Sequence, residues 1–238
     1  MSRGLRSEAG FTLPELLTTM WIAGVIMLAA FAMVDFVMKR TAEAEQRVEA
    51  TQRGRTGMDM ITRQLRSQVC LNATPPIAEG TADSIQFFTD LGNSTASSLP
   101  ERHTLTFNAA AGSITETVEK PNATNPVTWK APTTRILLSG ITRDTDAGGN
   151  PIPIFQYRGF DNTKNPVQVS DSNLAVPLKA TGNAGKVAMV KITFRSVARR
   201  TPRSEVSFAI ADDVYSRVIN PNPPEQAPAN FTPTPSCN

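Results

Sequence analysis

Few side chains in this sequence are equipped for chemistry, and the most conspicuous is a carboxylate in apolar company. Glu15 stands immediately before residues 16–34, nineteen positions without a charge. Hydrocarbon does not solvate charge, so an ionisable group at the edge of such a run calls for a partner of opposite sign or a polar cavity. The 238-residue chain has one histidine, His103, and two cysteines, Cys70 and Cys237. That inventory cannot supply a multi-cysteine zinc site within one chain. Nothing near His103 resembles the nucleophile motif of a Ser-His-Asp or Cys-His arrangement. The composition leans away from an enzyme and calls for no cofactor.

Two loops carry the other clustered polar groups. "DTDAGGNP" at 144–151 offers Asp144, Asp146 and Asn150 as oxygen ligands. Counted from Asp144 against the EF-hand pattern, Gly149 falls at the glycine position. Gly148, however, supplies no side-chain oxygen at the fifth place, and Phe155 stands where the bidentate glutamate belongs. The sequence therefore assigns no metal, and the reading is a Gly-rich turn between strands, with those three residues as the only calcium candidates. "SVARRTPRS" at 196–204 holds Arg199, Arg200 and Arg203, with Arg195 at its base. Such a cluster is either a solvated hairpin loop or a contact to DNA phosphates. No aromatic residue interleaves it to stack on bases, which favours the solvated loop.

The elements that must position these groups follow from periodicity. The net charge of +3 is mild, and its excess sits between Lys39 and Arg66, where seven basic residues face four acidic ones. Ala44, Val48, Thr51, Met58, Ile61, Leu65 and Val69 recur at helical spacing and predict one packed face of a long helix. Gly54 and Gly57 within it mark a bend, close packing, or tolerated weak points. "NATPP" at 72–76 ends the helix before Pro75. A helix over 11–71 would be about 90 Å long at 1.5 Å per residue.

Beyond it the pattern changes to short β-like runs at 84–88, 104–107, 113–118, 135–138, 154–158, 187–195 and 205–211. Val190, Ile192 and Phe194 alternate with Lys191, Thr193 and Arg195. Val206, Phe208 and Ile210 form the matching run, so the last two segments read as an antiparallel hairpin. A change of phase at Met189 and Val190 suggests a bulge or an edge effect. From Asn220 on, the Pro-rich sequence suits an extended tail.

For the N-terminal segment three readings stand. Nineteen uncharged residues suit a plain membrane anchor, and Ala30, Phe31 and Ala32 offer a signal-peptidase site. The third rests on "GFTLPELL" at 10–17. Gly10, Phe11, Thr12, Leu13 and Glu15, followed by the apolar run, resemble the processing site of type IV pilins and pseudopilins. The resemblance at motif level is confined to this segment and its helix. It implies that a prepilin peptidase cuts after Gly10 and methylates Phe11. It also implies that Glu15 recruits subunits by pairing with the α-amino group of a neighbour. Each charge of such a pair loses hydration, so it would serve register more than raw stability.

The fold implied is α+β: a long N-terminal helix, transmembrane in its first half and amphipathic in its second, packed on an antiparallel β-sheet domain. Its parts are a leader at 1–10, a membrane or filament-core helix at 11–38, and an amphipathic helix at 39–72. A β domain at 73–219 and a tail at 220–238 complete it. The partners implied are other pilin subunits, the assembly machinery, the peptidase and the membrane, with DNA a lesser candidate. The β domain would lie outside the cytoplasm, first on a single-pass precursor and then on a cell-surface filament. Removing ten residues leaves a chain long for a major pilin, which points to a minor pilin; the alternatives are a secretion or competence pseudopilin, or an anchored or secreted binding module.

Outside the cytoplasm Cys70 and Cys237 can bridge, pinning the tail and adding about 2–4 kcal/mol. Family disulfides usually start in the sheet region, not at the helix end, so free or intermolecular thiols stand as the other reading.

Overall fold

The computed structural model describes residues 12–90, 99–124, 127–161, 168–198, 207–216 and Cys237. The chain divides into two compact units, Met1–Arg47 and Val48–Asn238, and a single helix, α1 (Leu13–Arg66), contributes to both. The helix opens on hydrogen bonds from the Glu15 and Leu16 amides to Thr12 O, at 3.0 and 3.2 Å. Pro14 is tolerated there because its missing N–H falls in the first turn, where no intrahelical acceptor exists. In the first unit the helix is apolar all round, with Leu17, Trp21, Ile26, Leu28 and Phe31 each more than half exposed. Charge returns as pairs along the helix surface, Lys39 with Asp35 at 2.7 Å and Arg40 with Glu43 at 3.3 Å.

The second unit is an antiparallel β domain, and the architecture is α+β as expected. Its strands are β1 (Ile77–Gly80), β2 (Ser84–Thr89), β3 (Glu101–Asn108), β4 (Ser113–Glu119), β5 (Pro121–Thr124), β6 (Val127–Trp129) and β7 (Thr133–Ser139). There follow β8 (Ile141–Thr142), β9 (Phe155–Asp161), β10 (Gln168–Asn173), β11 (Leu178–Lys179), β12 (Met189–Val197) and β13 (Ser207–Tyr215). A six-stranded sheet runs β11-β1-β2-β3-β4-β7. A second sheet runs β10-β9-β12-β13, with β8 also on β12, and β5 and β6 form a separate ribbon. Each of the seven segments read as strands in the sequence contains a strand among its described residues; positions 205–206 of the last lie outside them. The expected hairpin is present, with Phe194 opposite Ile210. The phase change at Met189 is not a bulge. The β12–β13 register runs unbroken from Met189 to Val197, and Met189 and Val190 are both buried because both faces of β12 are covered there.

One core joins α1 to the sheets. Met58, Ile61 and Leu65 pack with Ile85, Phe87, Leu105 and Ile114 of the first sheet, and with Tyr157, Ile192 and Phe194 of the second. The predicted stripe is right from Met58 to Leu65 and wrong at Ala44 and Val48, which are exposed, with Thr51 half-buried between the two parts. The buried line there is Ala50, Gly54 and Gly57. A Cβ at Gly54 would lie 2.3 Å from Ile210 Cδ1 and 2.9 Å from Ser196 Cβ; one at Gly57 would lie 2.7 Å from Leu138 Cδ1. The glycines let the helix backbone touch the strands. Ser196 Oγ accordingly donates to Ala50 O at 2.6 Å, and Arg53 Nη2 to Val197 O at 3.0 Å.

The helix also ends earlier than expected, at Arg66. Ser67 Oγ caps Gln64 O at 2.8 Å, and the Val69 amide already bonds Phe88 O at 3.0 Å. Val69 therefore follows β2 and does not extend the helical stripe.

Alanine is the better helix former by about 1 kcal/mol, so propensity alone makes Gly54→Ala stabilising. Its contacts require the opposite: a net loss of about 1–3 kcal/mol from overpacking. Chemical denaturation of the full chain in detergent measures this, with Gly24→Ala, whose Cβ would meet nothing within 4 Å, as the control that keeps the propensity gain and loses no stability.

Candidate functional site

The sequence-derived site residues separate into distinct places. Gly10 and Phe11 lie outside the described residues. Glu15 occupies the first turn of α1, where a negative charge complements the helix dipole. It is exposed, and its carboxylate has no partner among the described residues. Leu13–Arg66 is the one described helix long and apolar enough to cross a membrane. A carboxylate and an exposed apolar surface thus occur on the same helix, close in sequence, and neither is satisfied within the described chain.

The arginine cluster is divided. Arg199, Arg200 and Arg203 lie outside the described residues. Arg195 is committed internally: its guanidinium donates to Asp144 Oδ1 at 2.8 Å, to Ser207 Oγ at 2.9 Å and to Ser207 O at 3.2 Å. That arginine clamps the β12–β13 hairpin to the loop before it. The same contact removes Asp144 from the candidate calcium set, and the hydrogen bond from Arg195 holds its carboxyl below the usual range. Asp146 is turned onto its own loop, accepting from the Gly148 and Asn150 amides at 2.9 and 2.8 Å. Asp146 and Asn150 are therefore bonded to each other around a turn, with Gly149 in the left-handed region at φ 82°, while Asp144 is bonded to Arg195. No group of three or more His, Cys, Asp or Glu residues among those described could hold a metal. Cys70 and Cys237 are joined as a disulfide across 167 positions.

The most concentrated chemistry is a cluster the sequence reading passed over. Side chains two apart along a strand share a face, so Glu101 and His103 of β3, Glu116 of β4 and Arg135 of β7 lie on the face that meets α1. Register completes the set, with Glu116 opposite both Leu105 and Arg135. The Glu116 side chain is fully buried. Its Oε1 accepts from Gln64 Nε2 of α1 at 2.7 Å and lies 2.7 Å from His103 Nδ1, while its Oε2 accepts from Arg135 Nε. With Glu116 ionised, the imidazole proton resides on Nδ1 and is donated to it. His103 Nε2 lies 3.5 Å from Glu101 Oε2. Burial works to raise the Glu116 pKa, but hydrogen bonds and charge from His103 and Arg135 outweigh it, and the carboxyl sits below its ordinary value of 4.5. A buried carboxylate with three donors on its two oxygens is well satisfied as a structural ion.

Beside this cluster the sheet face opens into a cleft of about 640 Å³, lined by Gln64, Glu101, His103, Lys120, Lys130, Thr133 and Arg135 among others. The only sequence signal for it is the unusual pairing of His103 and Glu116 at inward positions of alternating strands.

A carboxylate whose pKa is depressed by folding contributes stability above its unfolded value and loses it as pH falls through the folded one. Thermal melts should therefore be level near neutrality and decline below pH 4.5, and Glu116→Gln should flatten that acid limb. Glu116→Ala should cost about 3–5 kcal/mol at neutral pH, because the donors lose a buried acceptor.

No family model matches the chain, and neither a curated protein nor a solved structure matches it.

Proposed function

We propose that this chain is a minor pilin-like structural subunit of a type IV pilus or a related filament, processed by a prepilin peptidase and assembled through its N-terminal helix. The single observation that carries the reading is Glu15: a carboxylate with no partner among the described residues, in the first turn of a 54-residue helix and directly before an uncharged, outward-facing apolar run. The "GFTLPELL" stretch at 10–17 and an antiparallel β domain after the helix support it. In this reading the apolar surface is buried first by lipid and then by the helices of neighbouring subunits. Association within lipid relies on close packing more than on a hydrophobic drive. Glu15 selects register by pairing with the α-amino group of Phe11 on the next subunit. A pseudopilin of a secretion or DNA-uptake system shares every one of these features.

A second reading, an anchored or secreted binding module, is favoured by the open polar cleft. It requires a chain cut after Ala32 or left uncut.

Intact-mass measurement on the protein from its native membrane should find a chain beginning at methylated Phe11; any other first residue overturns the pilin-like reading. Glu15→Ala should insert into the membrane normally and yet enter filaments about tenfold less or worse, each 1.4 kcal/mol of lost pairing being about tenfold. Undiminished incorporation removes the recruitment role.

A further inference from the structure

The cleft beside the Glu116 cluster has a composition that the stability of the domain does not require. Its lining brings Lys120, Lys130 and Arg135 together with Glu101, and with Glu116 beneath them, so three cations face two carboxylates. The lysines are adjacent because β5 and β6 form a ribbon whose two feet meet: the Lys130 amide donates to Lys120 O at 2.9 Å. Lys120 Nζ lies 3.4 Å from Glu101 Oε1. The Lys130 ammonium has no partner among the described residues. Arg135 spends Nε on Glu116 and is 64% exposed along its side chain, so its guanidinium has donors to spare. Lys120 and Arg135 are therefore held by carboxylates, while Lys130, joined to the site through its backbone, keeps its ammonium unpaired among the described residues.

The remaining lining is polar in a complementary sense. Glu101 supplies acceptors and Thr133 a hydroxyl, on the same wall as the imidazole of His103. Among the described residues no Phe, Tyr or Trp lines the cleft, so it lacks the broad aromatic platform on which a neutral sugar would stack. Its volume of about 640 Å³ falls within the range of small-molecule sites, roughly 300–1,000 Å³, and exceeds what a bare oxyanion fills.

We propose that this cleft binds a hydroxylated carboxylate of monosaccharide size, a uronic acid being the simplest example. The ligand carboxylate takes charge-assisted hydrogen bonds from Lys130 and Arg135, and its hydroxyls bond Glu101 and Thr133. Buried Glu116 fixes Arg135 and His103 in position without touching the ligand. This site lies wholly within the β domain and does not depend on how the N-terminal segment is processed.

Equilibrium dialysis of the full chain in detergent micelles against labelled glucuronate tests it. Expected is saturable binding of one equivalent, displaced by unlabelled glucuronate, with glucose and inorganic phosphate each at least about tenfold weaker as competitors. Lys130→Ala should weaken binding about tenfold or more, one lost charge-assisted contact, with an unchanged melting temperature. Absence of saturable uptake overturns the proposal. Equal displacement by glucose shows that the charge is not read, equal displacement by phosphate shows an unselective anion patch, and an unaltered Lys130→Ala places the binding elsewhere. Each of these three also overturns it.

Discussion

The two large sheets share no strand, and the element that joins them is the backbone of α1. Ala50, Gly54 and Gly57 bring that backbone against Ser196 and Ile210 of the second sheet and Leu138 of the first. One turn later the helix supplies Met58, Ile61 and Leu65 to a core drawn from both sheets. Side chains on the small-residue line would hold the helix off and open a gap in which the facing atoms lose their packing partners. A second tie crosses higher up, where the buried Tyr157 hydroxyl of β9 lies 3.0 and 2.9 Å from the Thr81 and Ser84 carbonyls of the first sheet. Gly80 leaves room for that ring. Gln64 sits where this seam ends, bonded to Glu116 of the first sheet.

The character of the seam changes along the helix in step with the strands it meets. Over the apolar part, the inward residues of β3 and β4 are Leu105, Phe107 and Ile114. At the far end they are His103 and Glu116, and the helix answers with Gln64 in place of a further leucine. A buried carboxylate is tolerated because every donor it needs comes from a different element: α1, β3 and β7. That is an arrangement of specificity as much as of stability, since displacing any one element leaves polar groups unsatisfied in a dry place. It also explains why a cationic cleft forms there, as Arg135 reaches out from a partner it cannot leave.

Much of the fold was legible in the sequence, and the reasons for the rest are physical. Strands with clean alternation, such as the run containing Val190, Ile192 and Phe194, were found because burial on one face imposes a period of two. The strands that went unread are short or irregular: β8 and β11 have two residues each, β1 has four, β10 pairs with a shifted register, and β5 and β6 form a ribbon in which Pro121 and Trp129 pair. The upper half of the helical stripe was misread because close backbone approach selects glycine and alanine, which carry no hydrophobic signal. Glu15 was legible because a charge beside an uncharged run is visible in one dimension. Glu116 was not, since its partners at positions 64, 103 and 135 converge only through strand register. Arg195 and Asp144 looked like parts of two different surface sites, and the structure spends each on the other.

The Cys70–Cys237 bond has a topological consequence of its own. All thirteen described strands lie between these two residues, so the β domain is a closed covalent ring attached to the end of a helix. A single peptide-bond break anywhere in that ring opens it without dividing the molecule, and both new ends stay tethered to the helix. Surface loops of the domain are in this sense spared: a protease that clips one leaves both pieces covalently attached to the helix, and two cuts within the ring are needed to release any part of it.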